Sequence, residues 1–405
     1  MEILLLLFIY SGLLKGYLLF LDISFPIDIT VFTLVLILLK FGFDSIKKNK
    51  PFVVNKFYIN SIFLLVLFYL WIIFTLIYTP SKHYSLQKAG YFGLNFLAFS
   101  LPLLYGNINV KKFIKGFVII SISCGLAYLP FQFLYQLGEM ATTGIEQLAG
   151  VSGMYLDIGE YLGLSLVFCA TSSDKLWKSS FLNSLITFTC LIILLLIGAR
   201  GPLIFSILII VIDYVFKRKI NLFFLFRVNY IFRLLIFIIL FFLIYLNNRD
   251  YVDVLFERTL SRFMVLSEND SSNISAISRI DFFEVSLHHI FKNPFVLLLG
   301  NGVGSFGILV FNQDIRAYPH NIILEIIFEF GVFGFLLFVS WIFLSIKNIK
   351  EKSSLISNLI LLYMMFNVLK SSSLVDIRFF FIIFAFYISS NKIKINTNEN
   401  ITRMS

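Results

Sequence analysis

The stretch Ala317–Phe338, AYPHNIILEIIFEFGVFGFLLF, joins a Pro-His-Asn triplet to an apolar run long enough to cross a bilayer as a helix. Two carboxylates, Glu325 and Glu329, sit part-way along it. A charged side chain deep in a membrane costs roughly 2.5 to 3.5 kcal/mol on insertion scales. Such groups therefore face a partner, a cavity or a substrate. The expectation is a membrane helix with polar business at its mouth.

The rest of the chain agrees with a membrane setting. Of 405 residues 59% are hydrophobic, 18% aromatic and only 14% charged, with mean hydropathy +0.90. That balance excludes an ordinary soluble domain. The net charge of +10 does not point to nucleic acid, because the basic residues are scattered through short loops between apolar runs. Cys124, Cys169 and Cys190 lie inside apolar segments without ligand-like spacing, so they read as packing residues and neither a disulfide framework nor a metal site is expected. Met1–Phe20 lacks a basic leader region and a small-residue cleavage site, and is read as a retained first span.

About twelve apolar segments match the length that about 30 Å of hydrocarbon demands. They run near 2–20, 27–43, 59–79, 91–106, 113–137, 155–171, 182–198, 202–216, 224–246, 320–345, 355–369 and 374–390. The fold expected is all-α, one polytopic transmembrane bundle over residues 1–405. Lysines gather in the loops after even-numbered spans: Lys47 to Lys56, Lys111 to Lys115, Lys175 and Lys178, Lys217 to Lys219, Lys347 to Lys352. Short inner loops retain such charges, which places both termini on the cytoplasmic side. One connection is long, residues 247–319, on the outer side between spans nine and ten. Within it SRIDFFEVSLHHIFKNPF suits an amphipathic surface helix, and LLLGNGVGSFG reads as flexible backbone without the strand-helix setting of a dinucleotide fingerprint.

Several polar residues map to the outer face. Arg200 lies in the turn Gly198-Ala199-Arg200-Gly201-Pro202, where glycines permit close approach and the guanidinium fork suits phosphate. Snorkelling to water is its plain alternative. Arg279 precedes the expected surface helix, with a solvated charge as the alternative. Arg316 reads as a loop charge and Arg378 as a partner of Asp376; both are kept as secondary substrate contacts. If Pro319 takes the first helical position, His320 falls in the first turn, beside unpaired backbone donors that attract anions and favour a neutral imidazole. Asn321, Glu325 and Glu329 then form one stripe, the glutamates as a structural hydrogen-bond network. His83, His288 and His289 read as ordinary loop or surface histidines. Two arginines, a helix mouth and a base suit a diphosphate leaving group and a hydroxyl nucleophile.

The residues Gly198-Ala199-Arg200-Gly201-Pro202, Ser278-Arg279, Lys292-Asn293-Pro294, Gly300-Asn301-Gly302-Val303-Gly304-Ser305-Phe306 and Tyr318-Pro319-His320-Asn321 with Leu324-Glu325 and Gly331 resemble the O-antigen polymerase and ligase superfamily. The resemblance covers residues 197–338; the first six spans share only hydropathy. It implies a glycosyltransferase of the bacterial inner membrane, active on the periplasmic face. The donor would be an undecaprenyl-diphosphate-linked oligosaccharide, with no metal or other cofactor. Arg200 and Arg279 would hold the diphosphate and His320 would activate the acceptor, with inversion; Asn321, Arg316 and Arg378 are carried as further contacts. A polymerase of surface polysaccharide is preferred, working with a chain-length regulator protein. A ligase onto lipid A-core is the alternative. A transporter or flippase for lipid-linked sugars is the alternative of another class, against which stands the lack of two similar halves.

Overall fold

The computed structural model describes residues 1–21, 23, 27–48, 56–105, 108–136, 145–171, 176–217, 274–347, 349–351, 358–390 and 392–393. The helices are α1 (Glu2–Phe20), α2 (Ile29–Lys48), α3 (Lys56–Thr75), α4 (Tyr84–Tyr105), α5 (Val110–Gln136), α6 (Ile145–Thr171), α7 (Ser180–Ile197) and α8 (Arg200–Lys217). They continue with α9 (Ile274–Phe291), α10 (Pro294–Leu299), α11 (Ser305–Phe311), α12 (Ile322–Lys347), α13 (Asn358–Ser371) and α14 (Arg378–Ser390). A short antiparallel pairing of Ile349–Glu351 with Lys392–Ile393 is the remaining regular element described. Every expected span within the described residues coincides with a helix; the ninth, 224–246, lies outside them. Among the described residues six helices, α1, α2, α3, α5, α7 and α12, are long and apolar enough to cross a membrane, and α13 and α14 are shorter apolar helices.

The chain divides into two compact units, the first comprising Met1–Leu5, Leu34–Phe113 and Ile274–Ser405, the second Leu6–Thr33 and Ile114–Asn273. In the second unit the Tyr10 hydroxyl reaches the Phe117 carbonyl at 3.0 Å and Ser121 Oγ at 2.5 Å, tying α1 to α5. Tyr161 of α6 meets the Tyr10 ring edge-on at 5.0 Å. Helix α6 packs against both α7 and α8. Gly159 makes that approach close: a Cβ there would lie 2.3 Å from the Ala199 Cβ in the α7–α8 turn.

In the first unit α12 packs on α3, and α4 lies between α3 and α14. Their core is aromatic. Phe68 meets Phe92, Phe330 and Phe338 at 5.4 to 5.8 Å, and Trp341 stacks on Phe381 at 5.2 Å. Helix α14 is apolar around its whole circumference, and every residue from Phe379 to Ile388 is buried, as such a helix requires.

Helix α12 is broken at Gly331, where φ is 67° and ψ −174°. The carbonyls before a break lose their in-helix donors, and in an apolar surrounding they need replacements. The glycine loop after α10 supplies them: Asn301 N–H donates to the Phe328 oxygen and Gly302 N–H to the Glu329 oxygen, both at 2.9 Å. Trp71 Nε1 donates to the Phe330 oxygen at 3.0 Å. A Cβ on Gly331 would stand 2.3 Å from the Leu298 oxygen. The expectation of a flexible backbone in LLLGNGVGSFG is therefore corrected. Gly302, Val303 and Gly304 are buried, and the glycines serve left-handed backbone and close packing.

Candidate functional site

The mouth of α12 differs from expectation by three residues. The helix begins at Ile322. Asn321 caps it: its side-chain oxygen accepts from Leu324 N–H at 3.1 Å and its carbonyl from Glu325 N–H at 2.9 Å. The sequence offers two start signals, proline at the first helical position and asparagine as cap. The asparagine prevails, so Pro319 and His320 precede the helix. His320 takes a left-handed φ of 54°, uncommon outside glycine. Its ring lies nearly parallel to Phe282 of α9, 15° and 6.0 Å away, with Tyr318 at 4.5 Å. An open pocket of about 340 Å³ is lined by Phe282, Phe311, Ile315, Arg316, Ala317, Tyr318 and His320.

Arg316 at the pocket is not a bare loop charge. Its Nη2 holds both oxygens of Asp376, at 2.6 and 2.7 Å. The expected Arg378–Asp376 pairing is thus corrected: the loop folds back so that Arg316 engages this carboxylate, while Arg378 opens α14. Arg279 lies within α9, three residues or about one turn before Phe282. The structure so gathers Arg316, His320 and Asn321 at one helix mouth, against which α9 sets Phe282. Arg200 belongs to the second unit, at the start of α8. It follows the Gly198 cap of α7, which adopts φ 72° and ψ 27°, so the expected turn is present where the sequence puts it.

Below the mouth, Lys88 of α4 is buried and bridges Glu325 Oε1 at 2.5 Å and Glu329 Oε1 at 2.7 Å. Glu325 also accepts from Ser373 Oγ at 2.8 Å and Leu374 N–H at 2.9 Å. Asn95 Nδ2 in turn donates to the Leu374 carbonyl at 2.8 Å. The two glutamates are the structural network expected of them. Hydropathy alone starts the fourth span at residue 91 and so leaves Lys88 outside it, whereas α4 begins at Tyr84. The available signal was Ser85, Lys88 and Asn95 at spacings of three and seven, one face of a helix, and all three are buried. A second missed residue is Asp314. It accepts from Ser81 Oγ at 2.6 Å, from Lys82 N–H at 2.9 Å and from His83 N–H at 2.8 Å, an anion seated at the start of α4. Burial pushes its carboxyl up, but these hydrogen bonds outweigh it and hold the pKa down at about 2. His83 and His288 are exposed; His289 is half-buried against Phe328 at 5.9 Å.

Fold and site together describe a multi-pass helical membrane protein with a polar, aromatic-walled opening at the head of a broken helix. Residues 185–339 match the O-antigen ligase family, in support of the O-antigen polymerase and ligase superfamily. That family implies a membrane glycosyltransferase-like enzyme acting in surface-polysaccharide synthesis. No curated protein matches the chain.

Proposed function

We propose that the protein is a polymerase of surface polysaccharide. In this reading it is an inverting glycosyltransferase of the bacterial inner membrane, with about twelve spans and cytoplasmic termini. It joins undecaprenyl-diphosphate-linked repeat units on the periplasmic face. One coincidence carries the reading: the matched region, 185–339, takes in Arg200, Arg279 and the His320 pocket together.

The acceptor hydroxyl gives its proton to His320 while its oxygen attacks the anomeric carbon of the donor. The bond from that carbon to the diphosphate oxygen breaks, and the electron pair leaves on the diphosphate. Arg200 and Arg279 balance the charge that develops there, so the scheme requires no metal. A chain-length regulator would act as partner.

The test is purified protein in vesicles with a lipid-linked repeat unit. Longer glycan and free undecaprenyl diphosphate, formed without an energy source, are expected; movement of substrate with no new glycosidic bond would overturn the reading. Ligation onto lipid A-core is the alternative within the same family, which the match over residues 185–339 does not separate from polymerisation. A knockout separates the two. Single-repeat glycan on the core marks a lost polymerase, and polymer stranded on the carrier marks a lost ligase.

A further inference from the structure

The pocket at the mouth of α12 has walls of two kinds. Phe282 lies nearly parallel to His320 and perpendicular to Phe311, 5.6 Å away, while Tyr318 leans on His320 at 4.5 Å. These rings give an aromatic wall. The polar element is the Arg316–Asp376 pair, in which one nitrogen contacts both carboxylate oxygens at 2.6 and 2.7 Å. Because the guanidinium is already matched by a carboxylate, the pair brings donors and acceptors without net charge.

That combination selects among ligand classes. A diphosphate needs uncompensated positive charge, and Arg316 is compensated. A lipid chain has no use for a charged pair at the rim. A sugar ring fits both: its C–H face packs on aromatic rings, and its hydroxyls both donate and accept. The volume of about 340 Å³ is at the small end of known ligand sites, about 300 to 1,000 Å³.

We infer that this pocket is the acceptor-sugar subsite, in which a saccharide ring rests on Phe282 and Tyr318, bonds the Arg316–Asp376 pair, and so presents its hydroxyl to His320. The assignment rests on the glycosyltransferase reading above and names the substrate part that this site takes. It gives Arg316, carried so far as a further substrate contact, a place beside the acceptor. Phe282 and Arg316 act as positioning residues.

The experiment uses the full-length protein in vesicles, a saturating lipid-diphosphate donor, and an alkyl glycoside of the repeat unit, which lacks a diphosphate and serves only as acceptor. Phe282→Ala is expected to raise the acceptor KM about tenfold, as loss of one aromatic contact predicts, with the donor KM unchanged. Phe282→Trp is expected to restore it. Should the alanine variant unfold, Phe282→Leu keeps the apolar packing, removes the flat face and carries the same expectation. An unchanged acceptor KM, or a raised donor KM alone, overturns the assignment. Saturation-transfer NMR with the same glycoside reads the subsite without turnover: transfer to sugar C–H protons in wild type and its loss in the Phe282 variant support the subsite, and no transfer in wild type overturns it. If wild type forms no glycosidic bond yet shows this transfer, the catalytic reading fails and the saccharide subsite stands.

Discussion

At Lys88, loss of one side chain leaves two carboxylates buried without their cation. Breaking a buried ion pair from one side costs about 3 to 5 kcal/mol, so Lys88→Met is expected to lower the unfolding midpoint of the detergent-solubilised protein sharply. Adding Glu325→Gln and Glu329→Gln to it should recover much of the loss; no recovery would show that the charges are not what the lysine supports. Asp314 predicts a pH dependence. Its pKa is about 2 in the folded protein against an ordinary 3.8, so its contribution is complete above about 4 and is lost as pH falls towards 2. Asp314→Asn should flatten the slope of unfolding midpoint against pH in that window, and an unchanged slope would contradict the clasp. At this scale the sequence was only partly readable. The glutamates announced themselves by lying in an apolar run, but their cation stands 237 residues away from Glu325, and no periodicity links such positions. At the helix mouth two start signals, Pro319 and Asn321, compete within three residues, and the local sequence does not rank them; the structure caps the helix with Asn321.

Among the elements, the break in α12 carries the clearest prediction. Gly331→Ala meets both a left-handed φ of 67° and the Leu298 oxygen at 2.3 Å, so it is expected to destabilise by about 2 kcal/mol or more. Gly90→Ala, mid-helix in α4 with open space around it, is expected to be neutral or to stabilise by up to about 1 kcal/mol. Unfolding midpoints of the two variants, compared side by side, check this; equal effects would refute the steric account. Helices were legible because hydropathy and length suffice to define a membrane-crossing segment. The break was not, since FEFGVFGF reads as continuous apolar helix. It exists because a loop some thirty residues earlier supplies the missing backbone donors, a tertiary fact that local pattern does not encode.

For the molecule as a whole, the distribution of lysines predicts sidedness. A cysteine at the exposed Gln313 should react with an impermeant maleimide added outside intact spheroplasts, and one at the exposed Lys111 only after the membrane is opened. Equal labelling of both from outside would overturn the orientation. The family match runs over parts of both units, residues 185–273 in one and 274–339 in the other. Asn301 and Phe328 lie 27 residues apart and are hydrogen-bonded to each other. The chain between them is therefore a closed ring, and Phe311, Ile315, Arg316, Tyr318 and His320 all ride on it. Asp314 pins the ring once more, to the segment before α4. A segment tied in this way has few conformations left to lose when a ligand arrives. On the acceptor-subsite proposal, that restraint pre-pays the ordering of the pocket wall during folding, so that selectivity would follow from shape already in place.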